Sequence, residues 1–255
     1  MRSILRFLQF LYNIYACIVF AILLLILFPL VILTFFLPVK KRGNVIYILT
    51  RYVVDIAMLL LGIFHYNIYD YPHDRSKPVI FVFNHISYLD ALVILKAIRK
   101  QHIRGLGKYE IGKVPIFGFI YSSAVIMVNR ADKEDRARCV EDLKNAISNN
   151  ISIILSPEGT FNETKKPLIN FYDGAFRIAI ETNTPIKPLL FLDTFDRLNY
   201  NKALSLTPGK SRVVYLEEIP VDNYTIENIS DLKQKVYDVM ESALINYKAS
   251  WIKSE

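Results

Sequence analysis

From residue 7 to residue 39 the chain runs without a single charged side chain. As a helix, that stretch would reach about 50 Å at ~1.5 Å per residue, against a bilayer hydrocarbon core of ~30 Å. It is longer than one upright span needs. Pro29 removes a backbone donor inside it, so a kink or a shallow re-entrant turn is expected there. A cleaved signal peptide fits poorly, because its apolar core runs only ~7–15 residues and ends at a small-residue cleavage site. Ile14-Tyr15-Ala16-Cys17 matches a lipoprotein cleavage box only faintly, and the apolar run continues beyond Cys17. The segment reads as a retained anchor.

Charge is distributed to match. Arg2, Arg6, Lys40, Lys41, Arg42 and Arg51 face Asp55 alone within residues 1–66, which therefore hold most of the chain's net charge of +7. A nucleic-acid partner is not expected, since its binder would carry the basic excess on a folded face. Cations flanking apolar sequence suit anionic lipid headgroups. A second apolar stretch, 45–64, carries Arg51 and Asp55 four residues apart, a spacing that allows a pair on one helical face. It suits an interfacial or domain-packed helix better than a second span. The cations on either side of the first stretch lean slightly toward a C-terminal domain on the cytoplasmic face of a membrane. With two cysteines, Cys17 and Cys139, a disulfide scaffold is excluded and a Cys-based zinc site is not expected. Reduced thiols fit the same compartment. The expected organisation is a helical membrane module over 1–66 and a second domain over 67–255.

Beyond residue 66 strand-like runs alternate with helix-like ones. Strands are expected at 67–71, 79–83, 103–107, 125–129, 151–156, 186–192 and 212–217, and helices at 89–99, 116–123, 133–148, 174–182 and 229–247. This order predicts an α/β domain, a largely parallel or mixed sheet flanked by helices. Ligands of such sheets sit where strands end and helices begin.

Two such junctions carry polar groups. The first is Asn84-His85-Ile86-Ser87-Tyr88-Leu89-Asp90. In one continuous helix, a step of five would put His85 and Asp90 on opposite faces. If His85 ends the strand and Asp90 begins the helix, the carboxylate folds back onto the imidazole and prepares it as a general base. Asn84 and Ser87 are candidates to hold that turn and the substrate beside it. The alternative is a plain helix start, with Asp90 as cap and His85 incidental. The second junction is Ser156-Pro157-Glu158-Gly159-Thr160, where a tight glycine turn offers backbone N–H groups and a hydroxyl to an anion. An ordinary turn with a solvated Glu158 is the competing reading. Between them lie Lys108, the run from Lys113 to Gly118, and Arg130 at the end of an apolar strand, where a guanidinium meets phosphate well. His65, His73 and His102 read as satisfied junction histidines rather than metal ligands.

In order, Asn-His-x-Ser-x-x-Asp, a Lys-rich stretch with Pro-x-Phe-Gly, an apolar strand ending in Arg, Pro-Glu-Gly-Thr and Pro-Ile-x-Pro resemble the four blocks of the glycerolipid acyltransferases, over about residues 65–220. The resemblance implies acyl transfer from acyl-CoA or acyl-carrier protein to a lysolipid hydroxyl, with no covalent acyl-enzyme and no metal or redox cofactor. It implies His85 as base, Asp90 as its orienting partner and Lys108 near the thioester oxygen. Arg130, Glu158, Gly159 and Thr160 match positions that hold the acceptor headgroup. Membrane lipids are the implied surroundings.

Three positions depart from the family pattern. Ser156 stands for the usual Phe, Ala124 for a frequent Gly, and Phe161 for an Arg that forks a phosphate. Losing that charge-assisted bond, worth ~1.5–3 kcal/mol, weakens selection for a terminal phosphate unless Lys165 or Lys166 replaces it. Phosphatidic-acid synthesis from 1-acyl-glycerol-3-phosphate leads; another lysophospholipid or a lyso-aminolipid is the alternative acceptor. A non-catalytic, membrane-anchored lipid-binding protein is the competing class, and His85 with Asp90 argues against it.

Overall fold

A computed structural model describes residues 2–202 and 204–252. The side chains of Arg2 and Lys40, two of the cations noted above, lie outside the described set. The chain opens with α1 (Arg2–Leu33), which stays helical through Pro29. A single 3-10 turn at Thr34–Phe36 and an extended Leu37-Pro38 then reverse the chain into α2 (Val39–Leu60). The expected break thus falls after residue 33, where Pro38 can no longer continue a helix. Both helices are long and apolar enough to cross a membrane. Most large side chains of α1, from Ile4 to Leu33, are exposed. An apolar surface of that extent has no stable place in water and associates with a membrane.

α2 is tied to the domain. Tyr47, Val54 and Met58 are buried in the core beneath it. The Arg51–Asp55 pair that the spacing allows does not form. Asp55 instead takes a bidentate fork from Arg99 (2.6 and 2.6 Å) and the Lys96 ammonium (2.7 Å), while Arg51 donates to the Arg99 carbonyl. Tertiary partners reach the carboxylate with better geometry than an i, i+4 neighbour, and a forked guanidinium wins.

After α2 come β1 (Ile63–Tyr69), β2 (Ile80–Phe83), α3 (Asp90–Ala97), β3 (Ile103–Lys108), α4 (Phe117–Ala124), β4 (Ile126–Val128), α5 (Lys133–Ser148), β5 (Ser152–Leu155), α6 (Gly174–Glu181), β6 (Ile186–Phe191), the short α7 (Thr194–Arg197), β7 (Gly209–Tyr215) and α8 (Ile229–Asn246). β1 begins at Ile63, inside the segment read as the N-terminal module, because it pairs along its whole length with β7. The seven strands run β1-β7-β6-β2-β5-β3-β4, parallel except where β6 meets β7. One core lies between the sheet and α5, α6 and α8, the other between the sheet and α2 with α3. With both faces covered, β2, β5 and β6 are buried at every residue, which is why they read as continuous apolar runs.

Candidate active site

β2 and β5 are parallel neighbours, Val82 opposite Leu155, so the loops that leave them emerge side by side. They bring the two polar junctions together, and Asp90 organises the first. Buried at the first residue of α3, its Oδ2 accepts the N–H groups of Ile86 (2.9 Å) and Ser87 (3.0 Å) and meets His85 Nδ1 at 2.8 Å. The carboxylate therefore reaches back into the loop rather than forward into the helix it starts.

Asn84 and Ser87, grouped above with substrate, are fully buried. The Asn84 amide donates to the Phe191 carbonyl (3.1 Å) and accepts the Phe191 N–H (2.8 Å), locking the end of β2 to β6. Ser87 Oγ donates to the Leu198 carbonyl at 2.5 Å and accepts the Leu89 N–H at 3.0 Å. Both hold the turn through backbone partners, as the first of their two expected roles requires.

Glu158 also turns inward. It is fully buried, its Oε1 accepting the His85 N–H (3.0 Å) and its Oε2 the Ile169 N–H (3.3 Å). Burial pushes this carboxyl up to about 8; the two backbone bonds oppose the shift and the Asp90 charge adds to it. On the other side of the same residue, the Asn162 N–H donates to the His85 carbonyl at 2.8 Å. The second junction thus grips the backbone of the first at both ends of His85. Asn162 was missed, although Asn-x-Thr is an Asx-turn signal: its Oδ1 accepts from the Thr164 N–H (3.0 Å) and hydroxyl (2.6 Å).

Gly159 adopts φ 67°, the left-handed region where a side chain is strained. Its carbonyl accepts from the Arg130 guanidinium, which arrives from the loop after β4. His85, Arg130, Ser156 and Gly159 line one cavity of about 280 Å³. The rest of its wall is almost entirely apolar and extends to Tyr47 and Thr50 of α2, past Leu95 of α3 and Ile120 of α4. The His85 side chain is 29% exposed.

Other expected residues lie outside that lining. Lys108 sits exposed at the end of β3, at the same edge of the sheet. Thr160, Lys165 and Lys166 are exposed. Phe161, which stands where a cation was expected, packs instead against rings: His85 at 4.3 Å between centroids, Tyr88 at 4.9 Å and Tyr200 at 6.0 Å. Tyr88 lies inside the first junction, whereas Tyr200 carried no sequence signal linking it to the site. His65 meets Asn67 Oδ1 at 2.9 Å and burial pushes it down to about 4; His73 meets Gln101 Oε1 at 2.8 Å and is also lowered by burial. His102 packs its ring edgewise on Tyr47.

Known proteins align with this arrangement. The 1-acyl-sn-glycerol-3-phosphate acyltransferase of Haemophilus influenzae is 29% identical over 177 residues, 68% of this chain and 72% of that one. The enzyme of the same name from Limnanthes douglasii is 28% identical over 169 residues, 64% of this chain and 58% of its own. The chain thus spans less than two thirds of the plant relative. The crystal structure of the 1-acyl-sn-glycerophosphate acyltransferase PlsC from Thermotoga maritima superposes with a TM-score of 0.74 at 23% identity, over 99% of this chain and all of that one, and so shares its fold. The family model described as Acyltransferase matches residues 65–192, half of the sequence and the part holding both junctions. The chain belongs to the acyltransferase family.

Proposed function

We propose that this acyltransferase moves an acyl chain from acyl-CoA or acyl-carrier protein to the free hydroxyl of 1-acyl-glycerol-3-phosphate, giving phosphatidic acid at a membrane surface. The observation that carries this reading is the 2.8 Å contact between His85 Nδ1 and a buried Asp90, at the mouth of an apolar cavity. With Asp90 accepting at Nδ1, the lone pair lies on Nε2. Nε2 takes the acceptor's hydroxyl proton as that oxygen attacks the thioester carbon. The tetrahedral oxyanion collapses, the carbon–sulfur bond breaks, and the thiolate leaves as a thiol with the proton from Nε2. Asp90 steadies the imidazolium in between.

The roles of the remaining groups follow. Arg130 and the turn at Gly159 hold the polar end of the substrates, and the exposed Lys108 ammonium is the candidate to meet the oxyanion. The apolar cavity receives the acyl chain of the donor. The hairpin within residues 1–66 anchors the domain of 67–255, with catalysis on the cytoplasmic face. A second acceptor class, a lysophospholipid with a substituted headgroup or a lyso-aminolipid, is favoured by one observation: aromatic rings surround position 161, and among the described residues Arg130 is the one cation lining the cavity.

Thiol release from long-chain acyl-CoA and acyl-carrier protein, measured with a panel of lysolipids, tests the reading. Release should depend on lysophosphatidic acid and fall about 10²–10⁴-fold in His85→Ala. An unchanged rate in that variant rejects the base. A strong preference for lysophosphatidylcholine or a lyso-aminolipid rejects the lead acceptor and establishes the second.

A further inference from the structure

A transfer between two lipids must hold two chains whose polar ends converge on one base. The cavity at His85 accounts for one. We propose that a second apolar cavity, on the α1 side of α3, holds the acyl chain of the lysolipid acceptor. This assignment rests on the acyl-transfer reading and adds the place of the second substrate.

The second cavity has a volume of about 290 Å³ and is lined by Ala16, Cys17 and Phe20 of α1, with Leu89 and Leu206 behind them. Its position is what connects it to chemistry. Ala91, Leu92 and Phe117 line both cavities, so the first turn of α3, directly after Asp90, forms a common wall. Tyr88 also lines the second cavity, and its ring meets Phe161, which in turn meets His85. A headgroup lying over Tyr88 and Phe161 would bring a glycerol hydroxyl to the imidazole while its chain remained in the second cavity.

Polarity separates the two occupants. The first cavity has Arg130 and the Gly159 turn in its wall. Among the described residues, the second has no charged side chain in its lining. Its one amide, Asn13, donates to the Gln9 carbonyl (2.7 Å) and accepts the Leu206 N–H (3.0 Å), so its hydrogen-bonding groups are already engaged. What remains is a surface for methylenes. An engineered cavity of ~150 Å³ binds benzene, so this one takes a chain of about a dozen carbons. The rim supplies the route. Phe20 (42% exposed) and Leu204 (58%) stand at the edge of the cavity, continuous with the apolar outer face of α1. A lysolipid resident in the bilayer reaches the cavity without its chain crossing water, whereas a carrier-bound donor arrives from the aqueous side.

Cys17 supplies the test, being an exposed free thiol in this lining while Cys139 is buried. The full-length protein in mixed micelles is assayed with long-chain lysophosphatidic acid and palmitoyl-CoA. Cys17→Phe should raise the acceptor KM about tenfold and leave the donor KM within about twofold. In a second measurement, maleimide labelling of Cys17 in His85→Ala protein should slow several-fold with lysophosphatidic acid or lysophosphatidylcholine present, and not with palmitoyl-CoA. The assignment stands only if both results are obtained. A higher donor KM alone, equal rises in both, no change in either, or a thiol protected by the donor or by neither overturns it. Labelling requires no turnover, so it judges this cavity even if wild-type protein transfers no acyl group and the catalytic reading fails.

Discussion

His85 has two unlike sides. On one, short polar bonds converge: Asp90 on the ring, Glu158 on the backbone N–H, Asn162 on the carbonyl. On the other stand the rings of Phe161, Tyr88 and Tyr200. The polar side leaves the imidazole little freedom, as the proposed base, which must meet a hydroxyl within hydrogen-bond reach, requires. The aromatic side offers shape and a π face but no fixed charge, so under the proposed function it would discriminate headgroups weakly. In the proposed reaction, the difference teaches that the machinery for proton transfer and the surface for acceptor choice would be built separately, from groups with separate energetic scales.

Four experiments probe that division, in decreasing order of expected effect. Asp90→Asn should lower kcat by ~10³–10⁴ through the wrong imidazole tautomer, with a smaller change in acceptor KM. A fall in acceptor affinity alone would erase the contrast between the two sides.

Glu158→Gln should alter stability more than chemistry. Its folded value of about 8 lies above the ordinary 4.5, so the folded protein holds a proton that the unfolded chain releases between those values. The contribution is complete below pH 4.5 and declines as pH rises to about 8, on the order of a few kcal/mol. Thermal midpoints in detergent between pH 5 and 9 should fall less steeply in the variant. An identical slope would show that the buried carboxyl does not titrate there.

Phe161→Arg tests the aromatic side directly. A guanidinium at this position should improve kcat/KM for lysophosphatidic acid over lysophosphatidylcholine by about tenfold, the lower end of one charge-assisted bond. No shift in the ratio would place acceptor choice elsewhere. The smallest effect concerns the donor. Thr50→Phe, at the α2 end of the His85 cavity, should shift the preferred acyl-CoA to a shorter chain, by about fourfold for one excluded methylene at ~0.8 kcal/mol. A chain-length profile that does not move would remove this cavity from donor recognition.

Much of this arrangement was legible in one dimension. The charge-free run of residues 7–39 announced an apolar helix, since no soluble surface accommodates it, and alternating runs announced a sheet covered on both faces. The spacing from His85 to Asp90 allowed a fold-back because five residues fit a turn followed by the first residue of a helix. Folding chose between alternatives that local pattern left equal. Asp55 found Arg99 and Lys96 rather than Arg51, because packing α2 on α3 brought better donors to it. Asn84, Ser87 and Glu158 turned inward, where a buried loop must satisfy its backbone. The rings around Phe161 come from positions 88 and 200, and the second cavity joins α1 to Leu204 and Leu206. Periodicity reports what a residue shares with near neighbours. Which distant segments enclose a space depends on how helices dock on the sheet, and that is set by packing of the whole chain.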